Sequence, residues 1–194
     1  MIRNIQGQEI NSNIPGWSRY VPNYKRAIEQ AQDGFKLAEI GCYLGAGVIY
    51  AAQFAKSINK NIQIYAIDTW RGSNELEHKQ MIQKLGGEDA FYHEFLKNIQ
   101  TAGVQDVINV IRKTSLEAST FFEDNSLDFV LIDAGHDYID VRSDIVAWYR
   151  KVKIYGTLAG HDIAHPPVKR AVEEIFGTNY DDKDESWLIK KWQK

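Results

Sequence analysis

Two hydrophobic periods alternate along the chain. Short runs apolar on both faces occur at 37–40, 62–67, 107–111, 127–132 and 157–159, and each reads as a buried strand. Between them, apolar residues recur every three or four positions at 21–32 (Ala27, Ile28, Ala31), 48–55, 91–102 (Phe91, Phe95, Ile99, Ala102), 116–122, 138–149 (Val141, Ile145, Trp148) and 168–176. Each of these reads as a helix with one packed face. A last apolar run at 187–192 follows an acidic turn at 181–185 and predicts a closing strand. Strands and helices alternating in this way predict an α/β fold, a doubly wound, mostly parallel, Rossmann-like sheet with an antiparallel last strand.

Proline and glycine punctuate the pattern where helices begin and end. Pro22 fits the first turn of its helix, Pro166-Pro167 start another, and Gly103 and Gly177 stop two more. Residues 1–20 are polar and turn-rich, and with the first helix they form an N-terminal segment, 1–34, ahead of a main domain at 35–194. Trp17 either staples this segment to the core or forms part of a substrate lid. Residues 71–87 read as a long polar excursion, of a kind that commonly carries function in compact domains. His78 lies within it and reads as solvated, with no second ligand type near it in sequence; His93 reads as a surface residue.

At 194 residues the chain reads as a single domain, able to bury about 70% of its unfolded surface without disulfides. A net charge of -3 with scattered Lys and Arg gives no footprint for nucleic acid. Cys42 is the only cysteine, which excludes a disulfide framework and a thiolate zinc site and fits a reducing compartment. No run approaches the roughly 18 apolar residues of a membrane span, and residues 1–10 do not read as a signal peptide. The expectation is a cytoplasmic protein with no membrane partner; a homo-oligomer is left open.

In a doubly wound sheet, ligands bind outside the carboxyl ends of the strands. Those exits present Glu39, Asp68, Thr114, Asp133 and Asp162, with His136 and His161 beside two of them. After Glu39, the glycines Gly41, Gly45 and Gly47 form a backbone-exposing turn that leads into a helix N-terminus. Asp68 follows about 20 to 30 residues later, where such folds place an acid for a ribose hydroxyl pair. A nucleoside-containing cofactor follows from these features. Thr114 and Ser115 suit adenine-edge hydrogen bonds and equally an N-cap. Several acids at one rim need an offset, which a cationic cofactor or a divalent metal would supply. Asp133 and Asp162 each fit a simple cap or turn as well, yet two strand-end acids flanked by histidines favour a shared site. His161 suits a ligand or a packing position equally, and His165, before two prolines, is the least marked.

EIGCYLGAG and IYAIDTW are similar to the first and second cofactor motifs of the class I S-adenosylmethionine-dependent methyltransferases. LDFVLIDAGHDY with GTLAGHDI resembles a narrower group, the metal-dependent small-molecule O-methyltransferases. That group includes macrolide-sugar methyltransferases, cephalosporin-hydroxylase-like proteins and, more distantly, catechol O-methyltransferase; the resemblance runs from about residue 35 to 176. It implies that Glu39, Gly41, Tyr43, Gly45 and Gly47 surround the methionine part of S-adenosylmethionine. It further implies that Asp68 binds both ribose hydroxyls, that Trp70, Thr114 and Ser115 lie near adenine, and that Asp133 and Asp162 are metal ligands, Asp133 also bordering the cofactor. His136, in a D-x-x-H arrangement, matches the position of a general base. Where the group often has a second carboxylate or amide, this chain has His161 and Ile163 beside Asp162. Magnesium prefers oxygen, so His161 as a third ligand would favour manganese or iron, or leave the metal out.

The expected function is S-adenosylmethionine-dependent O-methylation of a hydroxyl on a small molecule or sugar, assisted by a divalent metal. Displacement at a sulfonium mainly needs the acceptor oxygen held near the methyl group. A cation on Asp133 and Asp162 would lower the hydroxyl pKa, and His136 would accept the proton. Two rivals remain. A nicotinamide-dependent oxidoreductase lacks support because no G-x-G-x-x-G is present. A non-catalytic binding subunit rests only on the departure at His161 and Ile163.

Overall fold

The computed structural model describes residues 2–3, 9–10, 14–16, 20–73, 76–87 and 89–192. Two short strands, β1 (Ile2–Arg3) and β2 (Glu9–Ile10), pair antiparallel at the N-terminus. The main body then runs α1 (Val21–Glu29), β3 (Phe35–Ile40), α2 (Ala46–Ser57), β4 (Ile62–Asp68), α3 (Leu76–Leu85) and α4 (Ala90–Thr101). It continues with β5 (Ile108–Arg112), α5 (Ser115–Ser119), β6 (Leu127–Ile132), α6 (Tyr138–Lys151), β7 (Val152–Gly160), α7 (Pro166–Phe176), β8 (Asp181–Lys183) and β9 (Ser186–Lys190). Strands β3 to β9 form one sheet in the order β5-β4-β3-β6-β7-β9-β8. The first five in that order are parallel, and β9 and β8 close the edge antiparallel. The chain starts in the middle of the sheet, winds outward to β5, then returns to β6, so the order reverses between β3 and β6 and a crevice opens there.

Alternation along each strand divides the apolar residues between two cores. On one face Leu37 and Ile64 pack with Tyr24 and Ile28 of α1, Val48 and Phe54 of α2, and Phe91 and Phe95 of α4. On the other, Ala38, Ile40 and Val130 pack with Ile145 and Trp148 of α6, Val168 and Val172 of α7, and Trp187 of β9. Helices on both faces leave the carboxyl ends of β3, β4, β6 and β7 as the place where polar groups can gather.

Several elements differ from the sequence reading. α1 stops at Glu29 rather than 32. The excursion at 71–87 contains α3, a helix with so thin an apolar face that Leu76 is 70% exposed. The strand expected at 157–159 begins at Val152 and runs through Gly156. Its register against β6 shifts between Leu127 and Phe129, and Tyr155 takes φ +65°, which is bulge geometry. The acidic turn at 181–185 is instead β8 and a two-residue hairpin loop, Asp184 and Glu185, both with positive φ as such loops require. α5 covers only Ser115–Ser119, short of the expected 122. Among the described residues no helix is long and apolar enough to cross a membrane. Trp17 lies outside the described residues.

Candidate functional site

The glycine turn ties three strand exits together. The Gly41 N–H donates to Ile67 O at 2.8 Å, and the Asp133 N–H donates to Ile40 O at 2.8 Å. Gly41 has φ +88°, and a Cβ there would lie 2.0 Å from the Asp133 carbonyl oxygen, so a side chain is excluded by both torsion and backbone contact. Gly45 caps α2 in the left-handed conformation. Gly47 is needed for a different reason: its Cβ would fall 2.4 Å from Glu39 Oε2. The Glu39 carboxyl is sealed beneath the turn, where Tyr24 donates its hydroxyl at 2.5 Å and Tyr20 at 3.4 Å. Burial pushes Glu39 up to about 8, against the pull of those bonds. Glu39 and Gly47 therefore lie under the crevice, while Gly41 and Tyr43 face it.

Asp68, at the exit of β4, borders a cavity of about 230 Å³ with Gly41, Tyr43, Trp70, Lys113 and Ser115. Burial raises its pKa, offset by backbone N–H bonds from Trp70 at 2.7 Å and Tyr43 at 2.9 Å. Each carboxylate oxygen keeps lone pairs beyond those bonds, as an acceptor of a vicinal hydroxyl pair must. The Trp70 indole packs on Phe95 with ring centroids 4.6 Å apart and donates Nε1–H to the Tyr43 carbonyl at 2.8 Å. Of Thr114 and Ser115, one is fixed as a cap and the other lines the cavity. Thr114 is the N-cap of α5 in a capping box with Glu117, its Oγ1 accepting the Glu117 N–H at 3.3 Å. Ser115 borders the cavity.

A second cavity, of about 360 Å³, shares Tyr43, His78 and Asp133 with the first and ends among His136, His161 and Asp162. His136 Nε2 lies 3.0 Å from Asp162 Oδ2 and 3.9 Å from Asp133 Oδ1. His161 Nδ1 lies 3.4 Å from Asp133 Oδ1 and 3.3 Å from Asp162 Oδ2. The carboxylates of Asp133 and Asp162 beside it outweigh burial at His136 and raise it to about 10. At His161 burial opposes the charge, yet the same two carboxylates raise it to about 10 as well. In return His136 and then His161 hold the Asp162 carboxyl well below the usual range. Three non-glycine residues at these exits take left-handed backbone: Tyr43 (φ 47°), Trp70 (φ 53°) and Asp162 (φ 56°). Such conformations cost about 1–3 kcal/mol each and gather at functional sites.

The donor atoms of Asp133, His136 and Asp162 all lie within 4.8 Å of one another, a spacing that could hold a metal ion. This group differs from the set expected from sequence. His136, expected as a general base, stands among these donors, and His161, expected as the third ligand, is outside the group with its side chain 4% exposed, although its Nδ1 lies within 3.4 Å of both carboxylates. His161 Nε2 finds no hydrogen-bond partner among the described residues, and the Tyr20 ring meets the imidazole edge-on at 5.2 Å.

His78 was expected to be solvated, and that expectation fails. Its ring stacks on Tyr43 with centroids 4.9 Å apart, meets Phe91 edge-on at 5.5 Å, and borders both cavities. The signal that could have found it is the spacing of positions 78, 82 and 85, which share one face of α3. Tyr20 is a wall of the larger cavity, as is His165, whose ring lies 6.0 Å from His136.

Residues 38–163 match a family model described as a methyltransferase domain. Over 146 residues, 75% of this chain, the sequence is 27% identical to an uncharacterized protein, y4gI, of Sinorhizobium fredii; the chain spans only 15% of that relative's length. Among solved structures, the O-methyltransferase NovP superposes with a TM-score of 0.66 at 14% identity, covering 90% of this chain and 80% of NovP. A protein provisionally assigned as a caffeoyl-CoA O-methyltransferase, from Staphylococcus aureus, gives 0.63 at 15% identity, covering 91% and 86%. At these identities the likeness is one of fold.

Proposed function

The chain belongs to the methyltransferase-domain family, and from that premise we propose that it is an S-adenosylmethionine-dependent enzyme that methylates a hydroxyl oxygen of a small molecule or sugar with a divalent metal at Asp133, His136 and Asp162. The observation that carries this reading is the junction of the two cavities. One holds the ribose-type acid Asp68, the other ends in the acid–histidine cluster, and they share Tyr43 and Asp133 at the joint.

S-adenosylmethionine supplies an electrophilic methyl carbon on a sulfonium; the acceptor oxygen bonds to that carbon as the carbon–sulfur bond breaks. The protein's task is then mainly to hold the two in line. Asp68 takes the ribose diol, Gly41 lets the turn approach the Asp133 exit, and Tyr43 stands between donor and acceptor.

The donor set fits a metal on charge as well as on spacing. Two carboxylates are balanced by two imidazoles raised to about 10. A divalent cation carries the charge of the two protons it would displace, so binding releases protons. Two carboxylate oxygens with an imidazole nitrogen suit manganese or iron as well as magnesium. When bound, the metal lowers the pKa of a coordinated hydroxyl. His161 lies against both carboxylates; with His136 among the metal donors, the imidazole assigned to take the acceptor's proton is His165, which lines the same cavity with its ring 6.0 Å from His136. Gly16 and Tyr20 on the cavity wall support a lid role for the N-terminal segment.

The test is transfer of labelled methyl from S-adenosylmethionine to catechols and monosaccharides, with manganese, with magnesium and with a chelator. Transfer should vanish with chelator and return with manganese. Undiminished transfer in chelator would overturn the metal assignment, and transfer only to nitrogen acceptors would overturn the hydroxyl assignment.

A further inference from the structure

Ser115 borders the Asp68 cavity at the edge of the crevice, just past β5, where the Lys113 N–H donates to the Asp68 carbonyl at 3.1 Å. Behind it lies a relay that the methyl-transfer chemistry does not use. Ser115 Oγ donates to Asp144 Oδ1 at 2.5 Å and accepts from Trp148 Nε1 at 2.8 Å. Both partners are on α6 and both are buried, Asp144 at 5% exposure and Trp148 at 0%.

The donor and acceptor count leaves one outcome. An indole N–H can only donate, and an ionised carboxylate can only accept. The Ser115 proton is therefore committed to Asp144 and one lone pair to Trp148. The remaining lone pair leaves Ser115 an acceptor, and only an acceptor, for any group that reaches its hydroxyl from the cavity. A hydroxyl is ordinarily ambivalent; this one is not. Adenine presents a donor at its 6-amino group, whereas a 6-oxo purine presents an acceptor at the same place.

We propose that Asp144 and Trp148 are positioning residues that hold Ser115 as an obligate acceptor for the 6-amino group of the adenine ring, so that the site selects an adenine nucleoside over its 6-oxo counterpart. This rests on the cofactor reading above. Burial raises Asp144 to about 6, against the Ser115 bond, and it is ionised in the weakly alkaline range.

The experiment is calorimetric titration at pH 8 with S-adenosylhomocysteine and with its deaminated analogue S-inosylhomocysteine. Wild type should favour the adenine ligand by about tenfold to a hundredfold, the scale of one lost hydrogen bond plus an unmatched acceptor pair. Asp144→Leu frees the Ser115 proton to turn toward the cavity, and the preference should fall to within about threefold. Ser115→Ala removes the acceptor itself while keeping Asp144 and Trp148 in the sequence; it keeps the test available if the first variant does not fold, and it should collapse the ratio similarly. A merely structural Asp144 would weaken both ligands together and leave the ratio unchanged, which would overturn the proposal. Equal binding of both ligands by wild type would overturn the relay alone. Binding of neither would overturn the cofactor reading beneath it.

Discussion

Replacing Glu39 with glutamine isolates the energetic consequence of sealing a carboxyl under the glycine turn. Burial carries its pKa from 4.5 to about 8 in the folded protein. Between those values the folded state keeps a proton that the unfolded state has lost, so stability falls as pH rises. The favourable contribution is fully present below about 4.5 and gone above about 8. At about 1.4 kcal/mol per pKa unit, the accumulated difference is at most roughly 5 kcal/mol, and on the order of 3 kcal/mol is a conservative expectation. Glutamine has the same shape, still accepts the Tyr24 hydroxyl, and does not titrate. Thermal melts of both proteins at pH 5, 7 and 8.5 separate this group from all others, because shared titrations cancel in the difference. The variant should match wild type within about 1 kcal/mol at pH 5 and exceed it at pH 8.5, with a melting temperature higher by about 6 °C or more. A pH-independent gap, or a variant less stable at pH 8.5, would refute the reasoning.

Two further substitutions probe the crevice itself. Gly41→Ala combines a left-handed torsion with a Cβ 2.0 Å from the Asp133 carbonyl oxygen; it should cost at least about 3 kcal/mol in urea unfolding and abolish S-adenosylhomocysteine binding, and wild-type values for both would contradict the account. His78→Ala removes the ring stacked on Tyr43 between the two cavities. It should weaken that ligand by about threefold to tenfold while moving stability by less than about 1 kcal/mol, read by calorimetry and melting.

The parts legible in the sequence are those where burial acts on both faces of an element. Leu127–Ile132, interrupted only by Asp128, and residues 37–40, interrupted only by Glu39, are otherwise apolar runs, and the sheet they centre places Glu39, Asp68, Asp133 and Asp162 at neighbouring exits. Elements that pack lightly left little trace. α3 buries little of its face, so His78 passed as solvated, and β7 was cut short at Gly156 because a bulge breaks its alternation. Spacing along the chain says which exit a residue occupies, not how its side chain turns. That is why both His136 and His161 turn toward Asp133 and Asp162 without spacing having said which atoms meet, and why Thr114 became the cap while Ser115 reached the cavity. Contacts between distant elements, such as Ser115 with Asp144 and Trp148, have no sequence signature at all. Membership of the methyltransferase-domain family sets aside the nicotinamide-dependent alternative that Asp68 alone permitted.

The central claim is that S-adenosylmethionine occupies the crevice above the glycine turn with its ribose on Asp68. Calorimetric titration of wild type and Asp68→Asn with S-adenosylhomocysteine tests it most directly. The account predicts one site per chain in wild type and an affinity loss of at least about tenfold in the variant, the scale of a charge-assisted hydrogen bond removed. An absence of binding in wild type, or equal affinity in the two proteins, would contradict it.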